Sequence, residues 1–233
     1  MIRSFEDNAL PDGRLLEASP GVFIGTGESG SSLRGLVFRL SLTAATTTTL
    51  EASPSSTVFG QPVTLTADVS SVTGSPTGDV EFFEGTTSLG VAVVNGSVAV
   101  LEISSLDVGT YSLSATYAGE GTFSGITSAA VVVDVARAAS ALTLSSSPNP
   151  SSRKQLITVT AMLTVAGPGT GTPSGEVQLF EGKKRLGTAL AQDGVATFQI
   201  SLNGLGQQAL RAVYVGDGNF VGTEASHTHT IAR

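Results

Sequence analysis

The chain has 233 residues, a formal net charge of -7 at pH 7, 28 glycines and no cysteine. The absence of cysteine excludes disulfide bonds, thiol nucleophiles and thiolate metal sites. The acidic balance disfavours binding to nucleic acid or anionic lipid, so we expect neither as a partner. With 40% hydrophobic and only 13% charged residues, the composition is typical of a folded chain of short strands joined by tight turns.

The first 44 residues follow a pattern of their own. Residues 25–30 satisfy Gly-x-Gly-x-x-Gly, the pattern of a dinucleotide-binding turn, but Gly35 interrupts the helix that such a turn requires. We therefore interpret the stretch as a Gly-rich hairpin and expect no cofactor. Residues 15–26 followed by residues 35–40 resemble one unit of the short Gly-rich β-repeats of secreted bacterial proteins, although Ile24 and Gly27 depart from the usual pattern. A single unit of this kind is too small to close a core.

The rest of the chain is a duplication. Two motifs each occur twice, at a spacing of 97 residues. A period this long indicates a duplicated domain rather than a solenoid unit. The first motif, Gly-(Asp/Glu)-Val-x-(Phe/Leu)-Phe-Glu-Gly, lies at residues 78–85 and 175–182, and the second, Tyr-x-Gly-(Asp/Glu)-Gly-x-Phe, lies at 117–123 and 214–220.

The second copy contains a short insertion. Upstream of the two motifs, residues 64–67 match residues 158–161 at a spacing of 94 instead of 97. The three extra residues must lie between these points, and the Gly-rich stretch 167–171 is the predicted place.

Strand periodicity indicates the architecture of each copy. Residues 63–69 alternate apolar and polar side chains, which predicts a half-buried strand, and Asn95-Gly96 and Asp193-Gly194 predict two-residue hairpin turns. About seven such strands without a helical stretch predict a two-sheet antiparallel sandwich. We therefore expect an all-β chain with one sandwich over residues 45–136, a second over 139–233, and a short β-rich appendage over 1–44.

The joint between the two copies is short. It comprises residues 136–140 and contains no glycine. A joint of this kind favours an end-to-end arrangement with limited bending. We expect a monomeric rod on the order of 70 Å long, since a strand of about nine residues rises roughly 30 Å.

The motifs carry a family resemblance. A Pro-x-Gly-x-Val-x-(Phe/Leu)-Phe-x-Gly hairpin followed by Tyr-x-Gly-(Asp/Glu)-x-x-Phe resembles the bacterial Ig-like domains that occur in tandem in large surface and secreted proteins. The resemblance covers about residues 46–135 and 140–232. It implies immunoglobulin-like sandwiches, a location outside the cell or on its surface, and a non-catalytic role as spacer or adhesion module. The second copy lacks the tyrosine that stands at Tyr111 in the first.

The competing interpretation is an accessory module that binds a polysaccharide or a protein. Exposed aromatic rings stack on sugars, yet the chain has no tryptophan. Its three tyrosines, Tyr111, Tyr117 and Tyr214, all fall on strand positions predicted to face the core.

An enzyme is the third interpretation, and no catalytic constellation supports it. No Gly-x-Ser-x-Gly motif occurs. Glu84 and Glu181 occupy equivalent positions in separate copies, so they cannot form a general acid and base pair. We expect no enzymatic activity.

The two histidines, His227 and His229, lie two residues apart on the last predicted strand and therefore face the same side. They could chelate a metal ion, but only a carboxylate such as Glu224 could join them. We expect the pair to face solvent on a terminal strand, with no metal site.

Asp217 and Asn219 place oxygen ligands two residues apart in a turn, as calcium loops do. The first copy has Glu120 and Thr122 at these positions, and neither copy adds a cluster of acidic residues. The alternative is a turn in which Asp217 accepts hydrogen bonds from nearby backbone amides, and this is the interpretation we favour.

The chain contains no predicted membrane span. Its longest apolar run, residues 129–133, is far shorter than the roughly 18 residues that a span needs. Residues 1–7 lack the apolar segment of a secretory signal, so the chain either uses another route or is a fragment of a longer protein.

Overall fold

The computed structural model describes residues 10–11, 16–19, 22–29 and 34–233, and every regular element in this part of the chain is a β-strand. No helix there is long and apolar enough to cross a membrane. The predicted all-β class is confirmed. Two sequence predictions, on residues 1–7 and on Gly30 of the glycine motif, lie outside the described residues.

The N-terminal strands form a small sheet around one hairpin. β3 pairs with β4 along its whole length, with Thr26 opposite Val37. The other edge of β3 pairs with β2 at residues 22–24 and with β1 at residues 27–28. Residues 25–29 of the glycine motif therefore lie inside a hairpin strand. The strands are β1 (Leu10–Pro11), β2 (Leu16–Ser19), β3 (Val22–Ser29) and β4 (Arg34–Ser41).

The first sandwich has two sheets. One contains three strands in the order β10-β7-β5, and the other has the order β6-β13-β11-β8-β9, with β12 also beside β11. β6, which follows β5 after a two-residue break, runs parallel to β13, the last strand. The strands are β5 (Thr47–Ser53), β6 (Ser56–Val58), β7 (Val63–Ser70), β8 (Asp79–Glu84), β9 (Thr87–Val93), β10 (Val98–Ile103), β11 (Gly109–Tyr117), β12 (Ile126–Thr127) and β13 (Val131–Ala136).

The second sandwich repeats this topology. Its sheets have the orders β14-β16-β19 and β15-β21-β20-β17-β18, and β15 again runs parallel to the last strand, β21. One long strand, β21, takes the place of β12 and β13. The strands are β14 (Ser140–Ser147), β15 (Ser151–Ser152), β16 (Leu156–Val165), β17 (Gly175–Glu181), β18 (Lys184–Ala191), β19 (Val195–Ser201), β20 (Gly206–Gly216) and β21 (Val221–Ala232).

Each sandwich has its own core, built from the apolar positions that alternate along the strands. In β7 the predicted inward residues are at most 1% exposed, and the outward ones are partly or fully exposed. Equivalent positions are buried in both copies, so the duplication extends to the packing. These pairs are Val80 and Val177, Phe82 and Leu179, Leu113 and Leu210, Ala115 and Ala212, and Tyr117 and Tyr214.

One predicted turn is shifted by a residue. Asp193 and Gly194 have positive φ angles of 50° and 78°, and they form the two-residue loop that the sequence indicates. In the first copy Asn95 instead pairs with Val98, so the loop residues are Gly96 and Ser97, at 59° and 75°. The prediction of Asn95-Gly96 as the loop pair was wrong because serine here adopts the left-handed conformation that usually favours glycine or asparagine.

The segment just before the first strand of each sandwich is held at an equivalent place. Ala44 forms a parallel bridge with Phe123, and Ala138 forms the equivalent bridge with Phe220. Since β13 ends at Ala136, only Arg137 separates it from the first bridge of the second sandwich. The connection is shorter than the five residues that the sequence indicates.

Candidate functional site

The carboxylate of Asp217 is held in a corner between the loop before β17 and the loop after β20. Its Oδ1 accepts hydrogen bonds from the backbone N–H groups of Asn219 at 2.9 Å and Phe220 at 2.8 Å. Its Oδ2 accepts bonds from the backbone N–H and the hydroxyl of Ser174, both at 3.0 Å. Both oxygens of Asp217 are thus occupied by the protein's own donors.

These bonds also set the charge state of Asp217. Burial raises the pKa of the carboxyl, but the hydrogen bonds from Ser174, Asn219 and Phe220 outweigh burial, and the net shift of the pKa is downward. The hydrogen bonds therefore keep Asp217 in its charged form, which accepts bonds from three backbone N–H groups. Asn219, the second predicted calcium ligand, contributes a backbone N–H to the same oxygen. The arrangement is the backbone-bonded turn that we favoured from sequence.

The first sandwich retains this corner in a simpler form. Glu120, the equivalent of Asp217, accepts a 2.9 Å hydrogen bond from the hydroxyl of Thr77, the equivalent of Ser174. The Thr77 carbonyl in turn accepts a 2.7 Å bond from the Tyr117 hydroxyl. The acidic residue in the motif therefore ties two loops together in both copies.

Two glycines of the motif region are required by close backbone contact. Gly216 has φ 88°, and a Cβ built on it would lie 2.9 Å from the N atom of Gly222. A Cβ on Gly222 would lie 2.7 Å from the Tyr214 carbonyl oxygen. Gly119 and Gly125 show the same pair of conflicts in the first copy. No larger residue fits at these positions without moving the backbone.

The two motif tyrosines are both buried, but they differ in how their hydroxyl groups are satisfied. Tyr117 donates to the Thr77 carbonyl. The Tyr214 hydroxyl makes no hydrogen bond of ordinary geometry with the described residues. Burial above all, and then the nearby Asp217 carboxylate, raise the pKa of Tyr214. Tyr111, in contrast, is only partly buried, so the prediction that it faces the core was too strong.

This difference predicts that the same substitution, tyrosine to phenylalanine, has unequal effects on the two sandwiches. Tyr117→Phe leaves the Thr77 carbonyl without its partner and is expected to lower the free energy of unfolding of the first sandwich by about 1 kcal/mol. Tyr214→Phe removes a hydroxyl that makes no hydrogen bond of ordinary geometry and lies near an Asp217 carboxylate that already accepts four other bonds, so the second sandwich should lose less stability than the first. Urea unfolding of the two variants beside the unchanged chain measures both effects. Equal losses would contradict the assignment.

The histidine pair lies differently from the prediction. His229 is 0% exposed and His227 is partly buried, because both side chains share the inward face of β21 with the buried Ile231. The expectation that they face solvent was wrong for His229. The sequence signal for this burial was the position of His229 two residues before the apolar Ile231, which places both side chains on the same face of the strand.

Serine hydroxyls surround the pair. The Ser146 Oγ on β14 lies 2.8 Å from the Nε2 of His227 and 2.8 Å from the Nδ1 of His229. The Ser151 Oγ on β15 lies 2.8 Å from the Nε2 of His229. Asn149, between these strands, accepts a bond from the Thr230 N–H. We call Ser146, Ser151, His227 and His229 the histidine clasp.

The sequence-predicted acidic candidates do not join the clasp. Glu224 instead forms a 2.8 Å ion pair with Arg211, whose guanidinium lies 4.8 Å from the centre of the Phe180 ring. Both charged side chains are exposed, so the pair contributes little to stability. No three histidine, aspartate or glutamate side chains within the described ranges lie close enough to hold a metal ion.

Comparison with known proteins identifies the family. The model of the bacterial Ig-like domain (group 3) matches residues 48–136 and again 144–232. The chain therefore belongs to the bacterial Ig-like domain family, with two domains in tandem. No curated protein matches the chain.

Two solved structures show the range of similarity. The fibronectin(III)-like modules of Clostridium thermocellum CbhA are 18% identical, with a TM-score of 0.33, and the match covers 79% of this chain and 93% of that one. The Yersinia pseudotuberculosis adhesin InvE is 19% identical, with a TM-score of 0.40, over 79% of this chain and 59% of the adhesin. Similarities of this size do not assign an activity.

Proposed function

We propose that this chain is a non-catalytic spacer segment of a bacterial protein that is secreted or displayed at the cell surface. The observation that carries the proposal is the parallel pairing of β6 with β13 and of β15 with β21. When a strand near the start of a sandwich lies parallel to the last strand, the chain enters at one end of the sandwich and leaves at the other. Each domain then adds its own length, roughly 30 Å, to the path of the chain.

The pattern of retained contacts supports the same role. The two copies keep the carboxylate corner and its glycines, which shape the backbone. They do not keep the outward groups, because the positions of Arg211 and Glu224 are occupied by Ser114 and Thr127 in the first copy. A duplicated ligand site would be expected to retain its convergent polar groups as well.

The family assignment supports the location. Bacterial Ig-like domains are typical of surface proteins, and the family match supports our proposal that this chain lies outside the cell or on its surface. We further propose that it is a monomer and that it requires no cofactor.

A ligand-binding module is the second candidate, and one observation favours it. Val93 and Leu190 occupy equivalent positions on the edge strands β9 and β18, and they are 68% and 69% exposed. Exposed apolar residues on an edge strand can support the addition of a further strand from a partner protein. A polysaccharide ligand is less well supported, since no tryptophan is present for stacking on sugar rings.

Small-angle scattering and a binding screen distinguish the candidates. A spacer is expected to give a maximum dimension on the order of 70 Å or more in solution. It is also expected to bind neither glycans nor extended peptides, and to show no hydrolysis of esters, peptides or glycosides. A compact particle would contradict the spacer. Peptide binding that is lost in both Val93→Lys and Leu190→Lys would favour the second candidate, and turnover that is lost on changing His227 or Asp217 would indicate an enzyme.

A further inference from the structure

We propose that the histidine clasp is an acid-sensitive contact. It stabilises the attachment of β14 and β15 to β21 at neutral pH, and this stabilisation decreases as the pH falls. It belongs to the second sandwich alone. The proposal is independent of the spacer function, and it rests on the geometry of Ser146, Ser151, His227 and His229.

The clasp joins strands of both sheets. β14 belongs to the three-stranded sheet, whereas β15 is the edge strand of the sheet that contains β21. β15 has only two residues, so it has few backbone hydrogen bonds of its own. The bonds from Ser146 and Ser151 to a single buried imidazole, His229, therefore fasten both segments to β21.

The number of protons that the clasp can hold is limited. The Ser146 hydroxyl has one hydrogen, so it can donate to only one of the two imidazole nitrogens beside it, Nε2 of His227 or Nδ1 of His229. The nitrogen that accepts this hydrogen carries no proton, and the other nitrogen can then donate to the same oxygen. If both rings are imidazolium, both nitrogens donate to Ser146, and its own hydrogen has no acceptor among these groups. The two positively charged rings then contact the same oxygen atom, so they repel each other at short range.

Burial adds to this cost. His229 is 0% exposed, so its charged form loses nearly all contact with water. Burial first, and then the neighbouring His227, lower the pKa of His229. Since the pKa is lower in the folded chain than in the unfolded chain, the unfolded state binds more protons below about pH 6.5. Stability contributed by the clasp is therefore present above this pH and lost as the pH falls below it.

The surrounding elements provide no charge that would compensate an imidazolium. β14, β15 and the loop between them contain no charged residue. On β20 the cross-strand partners of His227 and His229 are Leu210 and Gln208. The charged residues of β20 and β21, Arg211 and Glu224, pair with each other away from the clasp. Arg153 and Lys154, which follow β15, are exposed and of the same sign as an imidazolium.

The first sandwich is a natural control. Because Thr57 pairs with Val135 as Ser151 pairs with Ile231, the positions of His227 and His229 correspond to Val131 and Val133. Val133 is 0% exposed, so an apolar side chain fills the site that His229 fills in the second copy. Comparison of the two copies is also the signal by which the sequence could have revealed the clasp.

The test uses the full chain and begins with an NMR titration of the imidazoles from pH 8 to pH 4.5. The chain has only two histidines, so His227→Val assigns both signals. We expect His229 to remain neutral at pH values where a free histidine is already protonated. A pKa for His229 at or above the ordinary value of about 6.5 would overturn the proposal.

Hydrogen exchange then tests whether β14, β15 and β21 open more readily as the pH falls. We expect the equilibrium constants for opening of amides in β14, β15 and β21 to rise as the pH is lowered from 7.5 to 5, after correction for intrinsic exchange. The rise should be up to about tenfold per pH unit for each proton that the open state binds and the closed state does not. The opening constants of amides in β5, β6 and β13 should stay nearly the same. His229→Val, which installs the residue of the first copy, should abolish the difference in pH dependence between the sandwiches. If opening in the first and second sandwiches of the unchanged chain depends equally on pH, the proposal is overturned. This comparison does not require that His229→Val folds.

Discussion

Replacing Leu210 with alanine is expected to lower the free energy of unfolding of the second sandwich by about 2–5 kcal/mol. Leu210 is 0% exposed, and it lies on β20 at the centre of the five-stranded sheet, opposite Glu181 of β17 and His227 of β21. The alanine removes buried methyl groups and leaves a cavity that rigid strands on both sides cannot fill. Urea unfolding followed by amide exchange in β20 measures the loss.

Two further leucines provide matched controls. Leu113→Ala in β11 should cause a loss of the same size in the first sandwich, because this residue is also 0% exposed at the equivalent position. Leu190→Ala should change stability by less than about 0.5 kcal/mol, since its side chain is 69% exposed. A large loss from Leu190→Ala, or a small one from Leu210→Ala, would contradict the assignment of the core.

Replacing Asp217 with alanine is expected to lower the free energy of unfolding of the second sandwich by about 2–4 kcal/mol at pH 7. The substitution removes the acceptor of four hydrogen bonds, from Asn219, Phe220 and two groups of Ser174. Because the pKa of Asp217 is lowered in the folded chain, the contribution is present above about pH 4 and is lost as the pH falls further. Urea unfolding at pH 7 and pH 3 measures the amount and its pH dependence.

Glu120→Ala is the control for this effect. Glu120 occupies the equivalent corner of the first sandwich, where its side chain accepts a bond from the exposed hydroxyl of Thr77. We expect the loss to stay below about 1 kcal/mol. If the two substitutions have equal effects, the additional backbone bonds of Asp217 do not stabilise the corner. Tight calcium binding that raises the melting temperature of the unchanged chain would favour the ligand interpretation of Asp217 and Asn219.

The fold was predictable from sequence because its determinants are local and occur twice. Alternation in residues such as Val63 and Leu65 indicates which strand face is buried, without knowledge of the partner strand. The motif glycines mark turns in both copies. The loop at Gly96 and Ser97 was misplaced by one residue, since the pairing of Asn95 with Val98 depends on the strands that flank it.

The histidine clasp was less accessible to sequence analysis. Ser146 and His229 lie 83 residues apart on strands of different sheets. Alternation with Ile231 indicates that His229 points inward, but it does not indicate which groups meet it there. A polar residue at such a position is read as solvent-facing by composition alone, and only the packing of one sheet on the other shows how it is satisfied.

The parallel pairing of β6 with β13, and of β15 with β21, also determines how each sandwich would carry tension. A pull on the two ends of the domain slides β6 along β13, or β15 along β21, in opposite directions. The backbone bonds between three residue pairs in the first domain and two in the second are then strained together, instead of breaking one after another. Forced unfolding depends on the rate of this step and not on equilibrium stability. Because β15 has only two backbone pairs with β21 and is also held by the contact between Ser151 and His229, the second domain is the one whose resistance to tension would change with the acidity of its surroundings.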